Sequence, residues 1–156
     1  PQDVLEDWTE YYRLQRQKTR YFHFAAEKIE KIMEQIKKSK ALEFSRWALS
    51  FQAGAFLAAP HANFNQIHIY CEGLPEAANN LKKEWPIVET APTESNLVLV
   101  EPYYAHSYRY GLRKIGGYPV VSDIQLYLDL RTYALRGEEQ ARHLFDTKIA
   151  PQWNLA

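Results

Sequence analysis

Asn96-Leu97-Val98-Leu99-Val100 runs through four apolar residues without a polar interruption. A strand with one wet face alternates; an unbroken run is what a strand covered on both faces requires. The segment is therefore read as the sheet centre, with helices above and below it. Upstream, Asn65 to Glu72 places Ile67, Ile69 and Cys71 on one side and Gln66, His68 and Tyr70 on the other, the alternation of a half-buried strand. Between the two, Leu74 to Trp85 reads as a helix with Pro75 in its first turn, where a missing amide costs little.

Working outward, Glu43 to Leu49 favours a strand with Phe44 and Trp47 as bulky members, and Ser50 is placed to cap a short helix that Pro60 stops. Leu5, Trp8 and Tyr12 recur at helical spacing from Gln2 to Leu14 and predict an amphipathic helix with those three on one face. Arg13 to Arg20 is polar and basic, a solvated connector, and Tyr21 to Phe24 a short strand. Ile29, Ile32, Met33 and Ile36 define the next helix, with Glu27 to Lys31 and Glu34 to Lys38 as stabilising pairs on its wet face. Gly116-Gly117, between Ser107–Lys114 and Tyr118–Val121, predicts a tight hairpin. Ser122-Asp123-Ile124-Gln125 has capping-box form, and Glu138 to Phe145 begins a last helix. The sum is an α/β or α+β fold, a mixed sheet of about five or six strands flanked by helices.

The chain has 156 residues, 46% apolar and 14% aromatic side chains, which suits one domain with its own core. Nineteen basic groups balance nineteen acidic ones, which argues against a surface built throughout to grip nucleic acid. The single cysteine, Cys71, fits a reducing cytoplasm and rules out a disulfide scaffold. Apolar stretches such as Ala53 to Pro60 fall far short of the ~20 residues a membrane helix needs.

The common catalytic strings are missing: there is no phosphate-binding Gly-rich loop, no Gly-x-Gly-x-x-Gly, no His-Glu-x-x-His and no Gly-x-Ser-x-Gly. A nuclease of the restriction type wants an acid two residues before a lysine on a strand, and only Asp146-Thr147-Lys148, at a helix end, has those letters. A nucleotidyltransferase wants Gly-Ser followed by alternating acids, and neither is present. His68 and Cys71 fall on opposite faces of their strand, so they do not form a metal site. No cofactor and no metal is expected. The stretch from Tyr103 to Lys114 interleaves aromatics with basic groups. Arg109, Arg113 and Lys114 offer phosphate contacts there, and Tyr108 and Tyr110 offer stacking on bases. An ordinary sheet face with tyrosines packed beside arginine stems explains the same letters.

Val121-Ser122-Asp123-Ile124-Gln125-Leu126-Tyr127-Leu128-Asp129-Leu130-Arg131, followed by Arg136-Gly137-Glu138-Glu139-Gln140-Ala141, resembles the closing motif of the AbiEi-type antitoxin and transcriptional-regulator family. Trp47 to Pro60, Ile67 to Tyr70 and Asn96 to Pro102 resemble that family's central pattern in the same order. The resemblance implies the C-terminal α/β domain of a regulator from a type IV toxin-antitoxin or phage-defence locus. It implies that residues 1–156 are a fragment whose N-terminal winged helix-turn-helix, the DNA-reading module, is missing. It also implies a functional link to a nucleotidyltransferase-like toxin, whose action the family neutralises without a stable complex. No chemistry for the domain follows from it. Ser122, Gln125, Tyr127, Asp129, Arg136, Gly137 and Glu138 have two readings. As architecture, Ser122 and Gln125 cap a helix, Asp129 and Arg136 pair or cap across the bend, and Gly137 lets the chain turn. As function, they form one polar constellation. The expectation is a non-catalytic effector or antitoxin domain; the alternative is a degenerate nuclease-like or nucleotidyltransferase-like enzyme acting on nucleic acid.

Overall fold

A computed structural model describes residues 2–13, 17–43, 46–104, 106–133 and 136–153. Among these the strands are β1 (Lys18–Phe24), β2 (Trp47–Ser50), β3 (Ile67–Cys71), β4 (Ile87–Glu89), β5 (Leu97–Glu101), β6 (Arg113–Ile115) and β7 (Tyr118–Val120). The helices are α1 (Gln2–Arg13), α2 (Ile29–Lys38), α3 (Lys40–Glu43), α4 (Phe51–Ala58), α5 (Leu74–Glu84), α6 (Asp123–Thr132), α7 (Gly137–Leu144) and α8 (Ala150–Trp153). A wide helical turn, Phe145–Ile149, joins the last two.

The strands form one mixed sheet in the order β4-β1-β5-β3-β2-β7-β6. β5 runs parallel to β3, and β2 parallel to β7; the other neighbours are antiparallel. β5 is interior, as its apolar run demands, but the middle position belongs to β3, all five of whose residues are buried. The alternation in β3 is genuine; its second face is covered rather than wet.

Register decides which side chains share a face, because directly paired residues point the same way. One transverse row runs Tyr21, Val98, His68, Ser50 and the next runs Thr19, Val100, Tyr70, Ala48. The opposite face carries Phe22, Leu97 and Ile67, then Leu99, Ile69, Leu49 and Val120. α5 covers that opposite face, with the Phe24 ring 5.6 Å from Trp85 and Lys82 Nζ 5.8 Å from the Phe22 ring centre. α2 lies beside it over the hairpin, where Tyr118 Oη donates to the Met33 carbonyl at 2.9 Å. α1, α4 and α6 pack on the His68 and Tyr70 face. Helices on both sides of a mixed sheet give an α/β layer fold.

Several local expectations hold with adjusted bounds. Gly116 (φ +59) and Gly117 (φ +85) form the turn between β6 and β7, both in the region that favours glycine. Ile32 and Ile36 bury the inner face of α2. On α1 the inward residues are Leu5, Thr9 and Tyr12, whereas Trp8 is 54% exposed, so the buried stripe is rotated from the expected one. Glu43, where the strand is expected to begin, ends the helical turn Lys40–Glu43 instead, and β2 starts at Trp47. Phe44 and Leu14 lie outside the described residues. Glu34 pairs with Lys31 at 3.5 Å, one turn back, instead of with Lys38.

Candidate functional site: a buried carboxylate beneath an open cleft

α6 begins as its capping serine predicts: Ser122 Oγ accepts the Gln125 amide at 3.1 Å. The reciprocal half of the box does not form. Gln125 turns its side chain inward, donating from Nε2 to Asp129 Oδ1 at 3.0 Å and to Tyr12 Oη at 2.9 Å.

Asp129 is fully buried on that inward side of α6. Its Oδ1 accepts the hydroxyls of Tyr12 at 2.5 Å and Tyr70 at 2.9 Å, in addition to Gln125. Its Oδ2 accepts Ser50 Oγ at 2.5 Å. Gln17, just ahead of β1, closes the group with its Nε2, 2.5 Å from Tyr12 Oη and 2.8 Å from Tyr70 Oη. The Tyr70 ring lies nearly parallel to that of Tyr108, centroids 5.6 Å apart. One carboxylate thus ties α6 to α1, β2 and β3. Burial raises its pKa from 3.8 to about 6, against the four donors, which favour the charged form. The same burial, reinforced by the carboxylate, pushes the Tyr12 and Tyr70 hydroxyls well above the usual tyrosine range, so both stay protonated donors.

Ser50 sits at a sharp strand-to-helix turn. The next residue, Phe51, has φ +53, a conformation that a bulky side chain adopts only at a cost of about 1–3 kcal/mol. What holds it is ring packing: Phe51 stacks on His68 at 4.2 Å and meets Tyr133 edge-on at 6.0 Å. Ser50 was expected to cap α4, but its hydroxyl makes no cap bond and goes to Asp129 instead. His68, paired with Ser50 across the β2–β3 ladder, is 6% exposed with Nδ1 buried and unbonded. Burial keeps its imidazole neutral, lowering its pKa from 6.5 to about 3.

Above this group the sheet face opens into a cleft of about 830 Å³, a size typical of small-molecule sites. Val98, Val100 and His68 face it from the sheet, with Thr19 and Tyr21 along β1. Phe51, Tyr133 and Arg131 close one side, and the 92–95 turn another. Gln66 ties the rim together, accepting Tyr133 Oη at 2.7 Å and donating to Ser95 Oγ at 2.6 Å.

No family model, curated protein or solved structure matches the chain.

The residues singled out from sequence are placed as follows. Tyr108 is 1% exposed, packed against Tyr70, and its ring offers no face to solvent. Arg109 pairs with Glu72, which also receives His106 at 2.8 Å, and Arg113 pairs with Asp123 at 2.5 Å. Burial opposes ionisation of Glu72, but the bonds from Arg109 and His106 outweigh it and lower its pKa. Tyr110 (82% exposed) and Lys114 face water. Of the tail motif, Gln125 and Asp129 reach the buried group, and Tyr127 packs instead beside Phe145 at 5.9 Å. Asp129 does not meet Arg136; its bonds all point into the core. Arg136 is exposed and takes the bend itself, at φ +57. Gly137 has another role than turning: a Cβ there would lie 2.1 Å from the Leu130 carbonyl oxygen, so glycine lets α7 cross α6 at contact distance. Glu138 is largely exposed, 3.9 Å from Arg131. His68 and Cys71 do lie on opposite faces. Among the described residues no group of three or more His, Cys, Asp or Glu could hold a metal, and no helix is long and apolar enough to cross a membrane.

Ser50, Tyr12, Gln17, Phe51, His68 and Tyr70 belong to a site that no motif in the sequence announces. The one available signal is the polar row of Gln66, just before β3, with His68 and Tyr70 in it, which marks the face where the cleft lies.

Proposed function

We propose that this chain is a non-catalytic effector domain of a transcriptional regulator of the AbiEi antitoxin kind. It acts in the cytoplasm, meets DNA only through a separate winged helix-turn-helix module, and is linked in function to a nucleotidyltransferase-like toxin. The observation that supports a contact role over turnover is the wiring of Ser50. Serine, histidine and aspartate come together at one spot, but a hydrolytic triad needs the histidine between the other two, taking the serine proton while the acid orients it. Here the serine hydroxyl donates straight to Asp129, and His68 Nδ1 bonds to neither. The carboxylate is engaged in joining four elements, and the cleft above it is the surface left for a ligand.

Co-expression tests the reading. A regulator carrying this domain should relieve the growth arrest caused by its neighbouring nucleotidyltransferase-like toxin, while the purified chain, given Mg²⁺ or Mn²⁺, leaves DNA, RNA and tRNA unmodified. Multiple turnovers on any of these substrates, abolished by Asp129→Asn, would replace the proposal with the enzymatic alternative.

A further inference from the structure

We infer that the cleft over β1, β5 and β3 binds a small planar heteroaromatic molecule carrying an anionic group, the chemistry of a nucleoside monophosphate. The inference rests on reading that cleft as the domain's contact site.

Three features carry it. First, shape: Val98 and Val100 give an apolar base, each 1% exposed, and aromatic rings stand around it, Tyr21 from β1 and Phe51 and Tyr133 from the helical side. Flat apolar walls select flat rings. The Phe51 ring is fixed by its packing on His68 and Tyr133 firmly enough to hold a strained backbone, the kind of over-determined geometry found at ligand clamps.

Second, charge: Arg131 is the one charged side chain lining the cleft among the described residues. Its Nε is buried and unbonded, and among the described residues its ion pair is the long 3.9 Å contact to Glu138. A guanidinium so placed favours a carboxylate or phosphate, which it can grip through two parallel N–H bonds. Among the described residues lining the cleft, a cationic ligand would find no carboxylate.

Third, polar edges: His68 lines the cleft as a neutral ring with Nδ1 buried and unbonded, and Thr19, Thr93 and Asn65 add two hydroxyls and an amide. Groups of this kind match ring nitrogens, exocyclic amines and sugar hydroxyls. An aliphatic acid would use Arg131 and leave the aromatic walls without a partner.

Isothermal titration of the chain with AMP, GMP, CMP and UMP, with the matching nucleosides and with inorganic phosphate, tests this. At least one monophosphate should bind in the micromolar to low millimolar range, with its nucleoside roughly tenfold weaker and phosphate alone weaker than both. Arg131→Gln should bring the monophosphate down to its nucleoside's affinity and leave the nucleoside unchanged. Thr93 is exposed, so Thr93→Trp fills the cleft mouth without touching the core and should abolish binding of both. Melting curves matching the unmodified chain establish that each variant is folded. Binding confined to oligonucleotides, binding indifferent to both variants, or none to any mononucleotide at about 10 mM would overturn the inference. Absence of binding would leave the contact-only reading intact; hydrolysis of a bound nucleotide would sink that reading and leave the site standing.

Discussion

Ser50 and Asp129, separated by 79 positions in the chain, share a hydrogen bond of 2.5 Å in the interior, Oγ donating to Oδ2. The bond fixes the end of β2 to the middle of α6. It also takes the serine out of two other roles, capping α4 and presenting a nucleophile.

Replacing Ser50 by Ala leaves Oδ2 without its donor. The expected cost is about 1–3 kcal/mol in urea unfolding, because a hydrogen bond to a buried charged group is lost and no water replaces it. The Asp129 pKa should also rise above about 6, since the Ser50 bond favours the ionised form. Carboxyl ¹³C shifts followed across pH report it; an unchanged or lower value would show that the bond is not a determinant of the site.

Protonation gives Asp129 and His68 opposite effects on stability. Asp129 keeps its proton in the folded state up to about 6 and loses it unfolded near 3.8, so its contribution falls as pH rises between those values. His68 stays neutral down to about 3 when folded but takes a proton below 6.5 when unfolded, so its contribution falls as pH drops through that window. Relative to the unmodified chain, His68→Phe should therefore gain stability on going from pH 6.5 to 4, and Asp129→Asn should gain from pH 4 to 6. Each difference should approach about 1.4 kcal/mol per pH unit. Denaturant midpoints across pH 3.5–7 measure both, and a reversed sign in either variant contradicts the burial described for that group.

The Gly137→Ala change forces a Cβ to within 2.1 Å of the Leu130 carbonyl oxygen and 2.9 Å of Tyr133 Cβ, neither of which is the far end of a flexible side chain. Overpacking of this kind should destabilise by about 3 kcal/mol, visible as a lower melting temperature. A loss below about 0.5 kcal/mol, the scale of an ordinary surface change, would mean that the α6–α7 contact yields easily.

The unmodified chain and its Arg109→Ala, Arg113→Ala variant should give the same titration curve with duplex and single-stranded DNA at every salt concentration. Both guanidinium groups already face carboxylates, and Tyr108 is packed inward. Filter-binding titrations at several salt concentrations would show a shallower slope if these groups released counterions from phosphates.

The layer fold was readable because its signals are local. The apolar run of β5, the Gly116-Gly117 turn and the heptad-like spacing of α2 each state their structure within a few residues. The site was not readable because its partners are distant. Asp129 meets Ser50, Tyr12 and Tyr70 at separations of 79, 117 and 59 residues, and within its own helix it shows only as an acid near a bend. In sequence its nearest cationic partner across that bend is Arg136. Ser50 looked like a cap for the same reason: its local environment offers a helix start, and only the packed sheet offers a buried carboxylate. Phe51 carries no sign of its positive φ, since bulky residues rarely adopt one and packing imposes it here. Gly137 was marked as special for a turn, whereas its need is closeness between two helices.

The most direct test of whether this group is architecture or machinery is its reaction with a serine-directed fluorophosphonate, read by intact and peptide mass spectrometry on the folded chain. A serine tied to a buried carboxylate, with no histidine to take its proton, should carry no adduct at Ser50 after prolonged exposure. A stoichiometric adduct on Ser50, lost in His68→Phe, would contradict the account and make this a hydrolytic site.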